Sequence, residues 1–121
     1  MHMNLILGRV KTGLWPEYER TFLQANIPIQ ELPGLVCRWL LRDMDDTDAG
    51  FALSLWETEA DLNRYVSSDA IRQIREQRFK ALFAEDFTRY ICEVRVESPG
   101  ALDHLLRSGN ADAPVSNAGA P

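Results

Sequence analysis

Two arginines on one face of a helix are the first residues in this chain that invite chemistry. At about 3.6 residues per turn, Ile71, Ile74 and Leu82 share a face of the segment 69–84, and Arg75 and Arg78 fall inside it. The opposite side carries Gln73, Glu76, Gln77 and Lys80. A guanidinium is costly to bury unless it meets a carboxylate, a carbonyl or water. The pair is therefore expected to edge a cavity between helix and sheet, where it can hold an enolate, a phenolate or a carboxylate. Phe79 and Phe83, with Trp56 at a strand end, would hold a ring and exclude water. Tyr65 adds a phenol that can take part in proton transfer.

Each of these residues also has a purely architectural reading. Arg75 and Arg78 can lay their stems on the core and pair with Glu57, Glu59 or Asp61. Trp56 can plug the core where its strand ends, and Tyr65 can be a packed aromatic with its hydroxyl in water. Trp15 and Phe22 read as core residues of the first helix. Strand phase assigns Arg38 to neither face.

The elements that must position these groups follow from periodicity. NLILGRVK, residues 4–11, is a β-like run broken by Gly13. Trp15, Tyr18, Phe22 and Ala25 recur at helical spacing, with Pro16 in the first turn, and Pro28, Pro33 and Gly34 mark the helix exit. LVCRWLLRD, residues 35–43, is a second strand with Cys37, Trp39 and Leu41 on one face. After the acidic loop MDDTDAG, FALSLW alternates Phe51, Leu53 and Leu55 against Ala52, Ser54 and Trp56. Thr58 with Asp61 caps a short helix bearing Leu62 and Tyr65. Ser67 and Ser68 offer a second cap before the long helix at 69–84, and RYICEVRVE, residues 89–97, is the last strand. The order β-α-β-β-α-β predicts an α+β, ferredoxin-like antiparallel sheet with both helices on one face. Apolar residues fall on both sheet faces, so a second copy of the chain is the simplest cover for the other face, making a homodimer. Residues 1–98 form the expected domain. Beyond it, residues 99–121 read as one short helix, ALDHLLR, and a largely disordered tail.

Composition narrows the function classes. The chain has 121 residues, room for one core. Its formal charge of -5 argues against a nucleic-acid surface. No apolar run is long enough to span a bilayer, and MHMNLILGRV lacks the features of a signal peptide, so a cytoplasmic protein is expected. Cys37 and Cys92 lack metal-site spacing and read as buried free thiols, while His2 and His104 lie at the fringes.

The stretches ELPGLVCRWL and FALSLWETEADLNRYVSSDAIRQI, followed by an aromatic-to-valine strand, resemble the antibiotic biosynthesis monooxygenase superfamily of dimeric α/β barrels, over roughly residues 4–97. The haem-degrading branch of that superfamily has an asparagine, a tryptophan and an iron-ligating histidine where this chain has Gly8, Tyr65 and Arg75. A guanidinium has no free lone pair for iron, so no haem is expected. The cofactor-free branch, which oxygenates phenolic polyketides with dioxygen alone, has a tryptophan matched by Trp56 and a helix arginine falling near Arg75. It also has an asparagine and a tyrosine where this chain has Ala52 and Leu62.

The resemblance thus implies a small cofactor-independent monooxygenase acting on an aromatic, quinol-type molecule, with no cofactor and no metal. Trp56, Tyr65 and Arg75 would be its catalytic residues, and Arg78, Phe79 and Phe83 its substrate contacts. Two alternatives share the same pocket: a non-catalytic dimer that binds a small hydrophobic acid, and an isomerase or cyclase working by proton transfer.

Overall fold

The computed structural model describes residues 1–100, apart from the side chains of residues 26–28 and 30. Its order is β1 (His2–Arg9), α1 (Trp15–Gln30), β2 (Leu35–Arg42), β3 (Ala49–Trp56), α2 (Glu59–Ser67), α3 (Asp69–Ile74) and β4 (Thr88–Glu93). The strands form one antiparallel sheet in the order β2-β3-β1-β4, an open ferredoxin-like α+β sheet. The expected short helix and tail after residue 100 lie outside the described residues.

Local signals explain most of the boundaries. Thr58 accepts a hydrogen bond from the Asp61 amide at 3.1 Å and starts α2, and Ser68 accepts from the Ile71 amide at 3.4 Å and starts α3. Gly34 turns the chain into β2 with φ +84, a conformation that other residues reach only with strain. The helix α1 runs on to Gln30 past Pro28, where the sequence suggested an exit. A proline forfeits one helical hydrogen bond, but Ala25 and Ile29, 1% and 3% exposed, are anchored in the core on either side of it.

The larger departure lies in the long helix. After α3 the chain widens into a π-helical segment, Arg75–Phe79, and then tightens into a 3-10 turn, Lys80–Leu82. A wide turn advances each residue by less than the roughly 100° of an α-helix, so faces drawn at a constant pitch fail beyond Ile74.

Register separates the two sheet faces. Arg38, Ala52, Ile6 and Arg89 share one face through the pairs Arg38↔Ser54, Ile6↔Ala52 and Ile6↔Arg89, and the helices pack here. One core cluster gathers Ala25, Ile29, Trp56, Leu62, Tyr65 and Ile71, and a second gathers Val10, Trp15, Tyr18 and Leu82. The opposite face carries Met3, Leu5, Leu7, Cys37, Trp39, Leu41, Phe51, Leu53, Tyr90 and Cys92, none of which belongs to either cluster. Leu41 and Tyr90 are 43% and 51% exposed. Both cysteines are free thiols on this face. Cys92 is exposed rather than buried, because no described element covers the β4 edge.

Candidate functional site

A cleft opens between the helices and the sheet. Its floor is Ile6 of β1 and Ala52 of β3, and Arg38 projects into it from β2. The helix α1 contributes Tyr18, Phe22 and Ile29; α2 contributes Tyr65; α3 contributes Ile71 and Ile74. The π-helical segment brings Arg75 and Phe79, and the connection to β4 brings Phe83 and Phe87. The void at the bottom is about 50 Å³, measured as the space open to the centre of a water molecule. Outside it lies a broad depression of about 530 Å³ by the same measure, lined by Glu76, Lys80, Glu85 and Asp86. Arg75, Phe83 and Phe87 line both spaces and therefore form the partition between them.

Aromatic packing sets this wall. Tyr18 meets Phe79 and Phe83 edge-on, with ring centroids 5.8 and 5.3 Å apart, and Phe83 meets Phe87 at 5.7 Å. Phe83 lies against the backbone of Gly8, where an added Cβ would stand 2.4 Å from the ring. Gly8 thus makes room for the partition.

The polar groups of the inner cavity are two arginines and two tyrosines. The Arg38 guanidinium sits 4.2 Å over the Phe22 ring, and burial lowers its pKa while Tyr65 and Tyr18 oppose that shift. It remains a cation at any accessible pH. Burial pushes the Tyr18 hydroxyl up to about 12, so it is a neutral donor. The Nη2 of Arg75 is buried and has no hydrogen-bond partner among the described residues. Among the described residues the lining contains no histidine, aspartate or glutamate. Among the described residues no group of three or more His, Cys, Asp and Glu side chains is placed to hold a metal.

Four of the six residues singled out in the sequence come together here: Tyr65, Arg75, Phe79 and Phe83. Trp56 does not line the cavity. It is 0% exposed, donates its indole N–H to the Ser54 hydroxyl at 2.9 Å, and stacks on the Tyr65 ring at 4.8 Å, behind the cavity wall. Arg78 lies away from the cavity on an exposed part of the π-helical segment. The wide turn puts Arg75 and Phe79 inward and separates Arg78 from them. Neither arginine uses the proposed pairing with Glu57, Glu59 or Asp61; Asp61 instead pairs with Arg64 at 2.9 Å. Sequence reasoning left the face of Arg38 open, named Tyr18 only for its helical spacing, and missed Phe87. Arg38 was within reach, since it alternates with Trp39, but alternation alone does not say which face the helices cover.

A ferredoxin-like sheet with an aromatic, arginine-bearing cleft beneath its helices defines the class of this protein. Residues 1–77 match the family model for antibiotic biosynthesis monooxygenase, and the chain belongs to that family. The fold is similar to that of SnoaB, a cofactor-independent oxygenase from Streptomyces nogalater solved as the mutant N63A, with TM-score 0.70 and 18% identity over 81% of this chain and 96% of that one. It is likewise similar to Rv0793 from Mycobacterium tuberculosis (TM-score 0.68, 10% identity, 80% and 97% covered) and to a conserved protein from Methanosarcina mazei Go1 (TM-score 0.67, 13% identity, 77% and 92% covered). No curated protein sequence matches the chain. At these identities the structural likeness speaks for the fold alone.

Proposed function

We propose that this chain is a cofactor-independent monooxygenase whose substrate is an aromatic, quinol-type small molecule. The observation that carries this reading is the make-up of the cleft, with aromatic and aliphatic walls and, among the described residues, arginine as the sole charged residue type in its lining. Family membership and the cofactor-independent oxygenase among the similar structures support the same reaction class.

Such a substrate needs little from a protein beyond stabilisation of its anion. Arg75 and Arg38, in a water-poor aromatic environment, favour the deprotonated phenol or enol, and the proton leaves to water in the outer depression. The electron-rich anion passes one electron to dioxygen, the two radicals combine to a peroxide anion on a ring carbon, and this takes a proton back from water to become the hydroperoxide. Loss of water then leaves a carbonyl where a CH₂ stood: CH₂ and O₂ become C=O and H₂O. Tyr65 and the neutral Tyr18 hydroxyl orient the substrate oxygen, while Phe79 and Phe83 hold the ring. An isomerase working through a carboxylate base is less well served, because no carboxylate lines the inner cavity.

Size bears on the substrate. The inner void of about 50 Å³ is roughly a third of the ~150 Å³ apolar cavity that binds benzene in an engineered protein. The ring therefore sits across the Phe83–Phe87 partition and reaches into the outer depression.

The homodimer belongs to the same proposal. A second copy would cover the face that carries Trp39, Leu41 and Tyr90, which no described helix does. The direct test of the function is dioxygen uptake by the purified chain with naphthohydroquinones and hydroxyanthrones. Uptake above the uncatalysed rate supports the reading; tight binding without uptake shows a non-catalytic binding protein.

A further inference from the structure

Arg89 of β4 pairs with Ile6 on the sheet face that the helices cover; it lines neither space itself, but its guanidinium lies 6.0 Å from the ring of Phe87, which lines both. Its Nε and Nη2 are both buried without a hydrogen-bond partner among the described residues, as is Nη2 of Arg75. Nε and Nη2 form one edge of a guanidinium, the edge whose two parallel N–H groups match the two oxygens of a carboxylate. Burying such an edge unanswered costs free energy. Arg75 is close enough for its charge to hold the Arg89 pKa down, after burial as the larger cause. Two like charges have thus been drawn together with no hydrogen-bond acceptor on these three nitrogens among the described residues. Of the acids near them in sequence, Glu76 pairs with Lys80 at 3.8 Å, Glu85 with Arg9 at 3.8 Å and Glu93 with Arg95 at 3.1 Å, while Asp86 lines the outer depression with no ion pair among the described residues. The depression outside carries Glu76, Glu85 and Asp86 beside Arg75 and Lys80, so the positive charge is confined to the two guanidinium groups themselves.

We infer that Arg75 and Arg89 together form a carboxylate-binding site at the partition between cavity and depression, and that the substrate is an aromatic acid. Three unanswered donors on two side chains exceed what the single oxygen of a phenolate can use and suit a further group with two oxygens and about four lone-pair positions, Arg75 facing both groups and Arg38 the phenolate alone. Arg89 is then a specificity-determining residue: it grips the carboxylate while the ring lies between Phe79 and Phe83. This rests on the reading of the cleft as the site of an aromatic substrate.

The test is calorimetric titration of the full chain with 1-hydroxy-2-naphthoate and with 1-naphthol, which share the ring and hydroxyl and differ in the carboxylate. Wild type should bind the acid at least tenfold more tightly. Arg89→Met, which keeps an unbranched stem, should weaken the acid by roughly ten- to a hundredfold and leave the naphthol unchanged. Arg89→Lys, which keeps the charge but loses the edge, should recover only part of that loss. Equal affinities in wild type, no binding of either compound, or a preference that survives Arg89→Met would each overturn the inference. So would dissociation of a wild-type dimer by Arg89→Met, which would show that a carboxylate of a second copy answers the edge. Oxygen uptake separates the two levels: acid preference without uptake leaves this site standing and removes the oxygenase reading, whereas uptake from neutral quinols without acid preference does the reverse.

Discussion

Replacing Trp56 by phenylalanine should cost stability and spare the site. The indole is 0% exposed and packs among Ala25, Ile29, Leu62, Tyr65 and Ile71. Phenylalanine removes the second ring and leaves a void that its neighbours only partly fill, about 1–2 kcal/mol. It also strips the Ser54 hydroxyl, 3% exposed, of the N–H that it accepts at 2.9 Å, worth about 1–2 kcal/mol in a buried position. Part of the stacking on Tyr65 survives in the smaller ring. The sum is about 2–4 kcal/mol, which for a domain of this size lowers the thermal midpoint by roughly 8–20 °C. Thermal unfolding followed by circular dichroism reads the stability, and titration with an aromatic acid reads the site. Arg75→Ala is the control, expected to weaken the ligand by roughly tenfold or more with a smaller change in midpoint. A Trp56→Phe protein of unchanged midpoint that has lost its ligand would refute this reasoning and put the indole in contact with substrate.

Three further outcomes follow from the same structure. Trp39→Asp puts a charge on the uncovered sheet face, and sedimentation should find the variant monomeric or insoluble where wild type is a dimer; a monomeric wild type at high micromolar concentration would contradict the dimer proposal. Gly8→Ala drives a methyl group into the Phe83 ring 2.4 Å away, so the midpoint should drop by the equivalent of about 1–3 kcal/mol and ligand affinity should change as Phe83 swings; an unaltered affinity would show that Phe83 is not part of the partition. Tyr18 has a folded pKa of about 12 against an ordinary 10, so the unfolded chain loses this proton first as pH rises. Its contribution is therefore present below pH 10 and lost between about 10 and 12, costing about 2–3 kcal/mol. Denaturant midpoints across that range measure it, and a Tyr18→Phe protein with the same loss would assign it to another group.

Alternation and capping made most of the fold legible. FALSLW ends at Trp56 and Thr58 caps the next helix as read, because both are local signals that tertiary packing reinforced. Pro28 misled because a proline inside a helix is tolerated where residues on either side of it are held in the core. Of the site, Tyr65, Arg75 and Phe79 were legible because they lie before or at the edges of the π-helical segment, and Phe83 because the 3-10 turn that follows brings the chain back to the same cavity. Arg78 was misplaced for the complementary reason: no sequence signal announces a change of helical pitch, and a constant projection carried it to the wrong side. Arg38 and Arg89 were hidden because each sits on a strand whose alternation fixes a face but not what covers it.

The central claim is that an aromatic anion held by arginine in this cleft reduces dioxygen without a metal or a cofactor. The most direct measurement is oxygen uptake by metal-stripped protein with no added cofactor, run with ¹⁸O₂ and a hydroxyanthrone or a hydroxynaphthoquinol carboxylate as substrate. One dioxygen should be consumed per substrate turned over, with one ¹⁸O in the product carbonyl and the other in water, and Arg75→Ala should slow the turnover. Substrate bound in the cleft with no uptake above the protein-free rate, or label absent from the product, would contradict it.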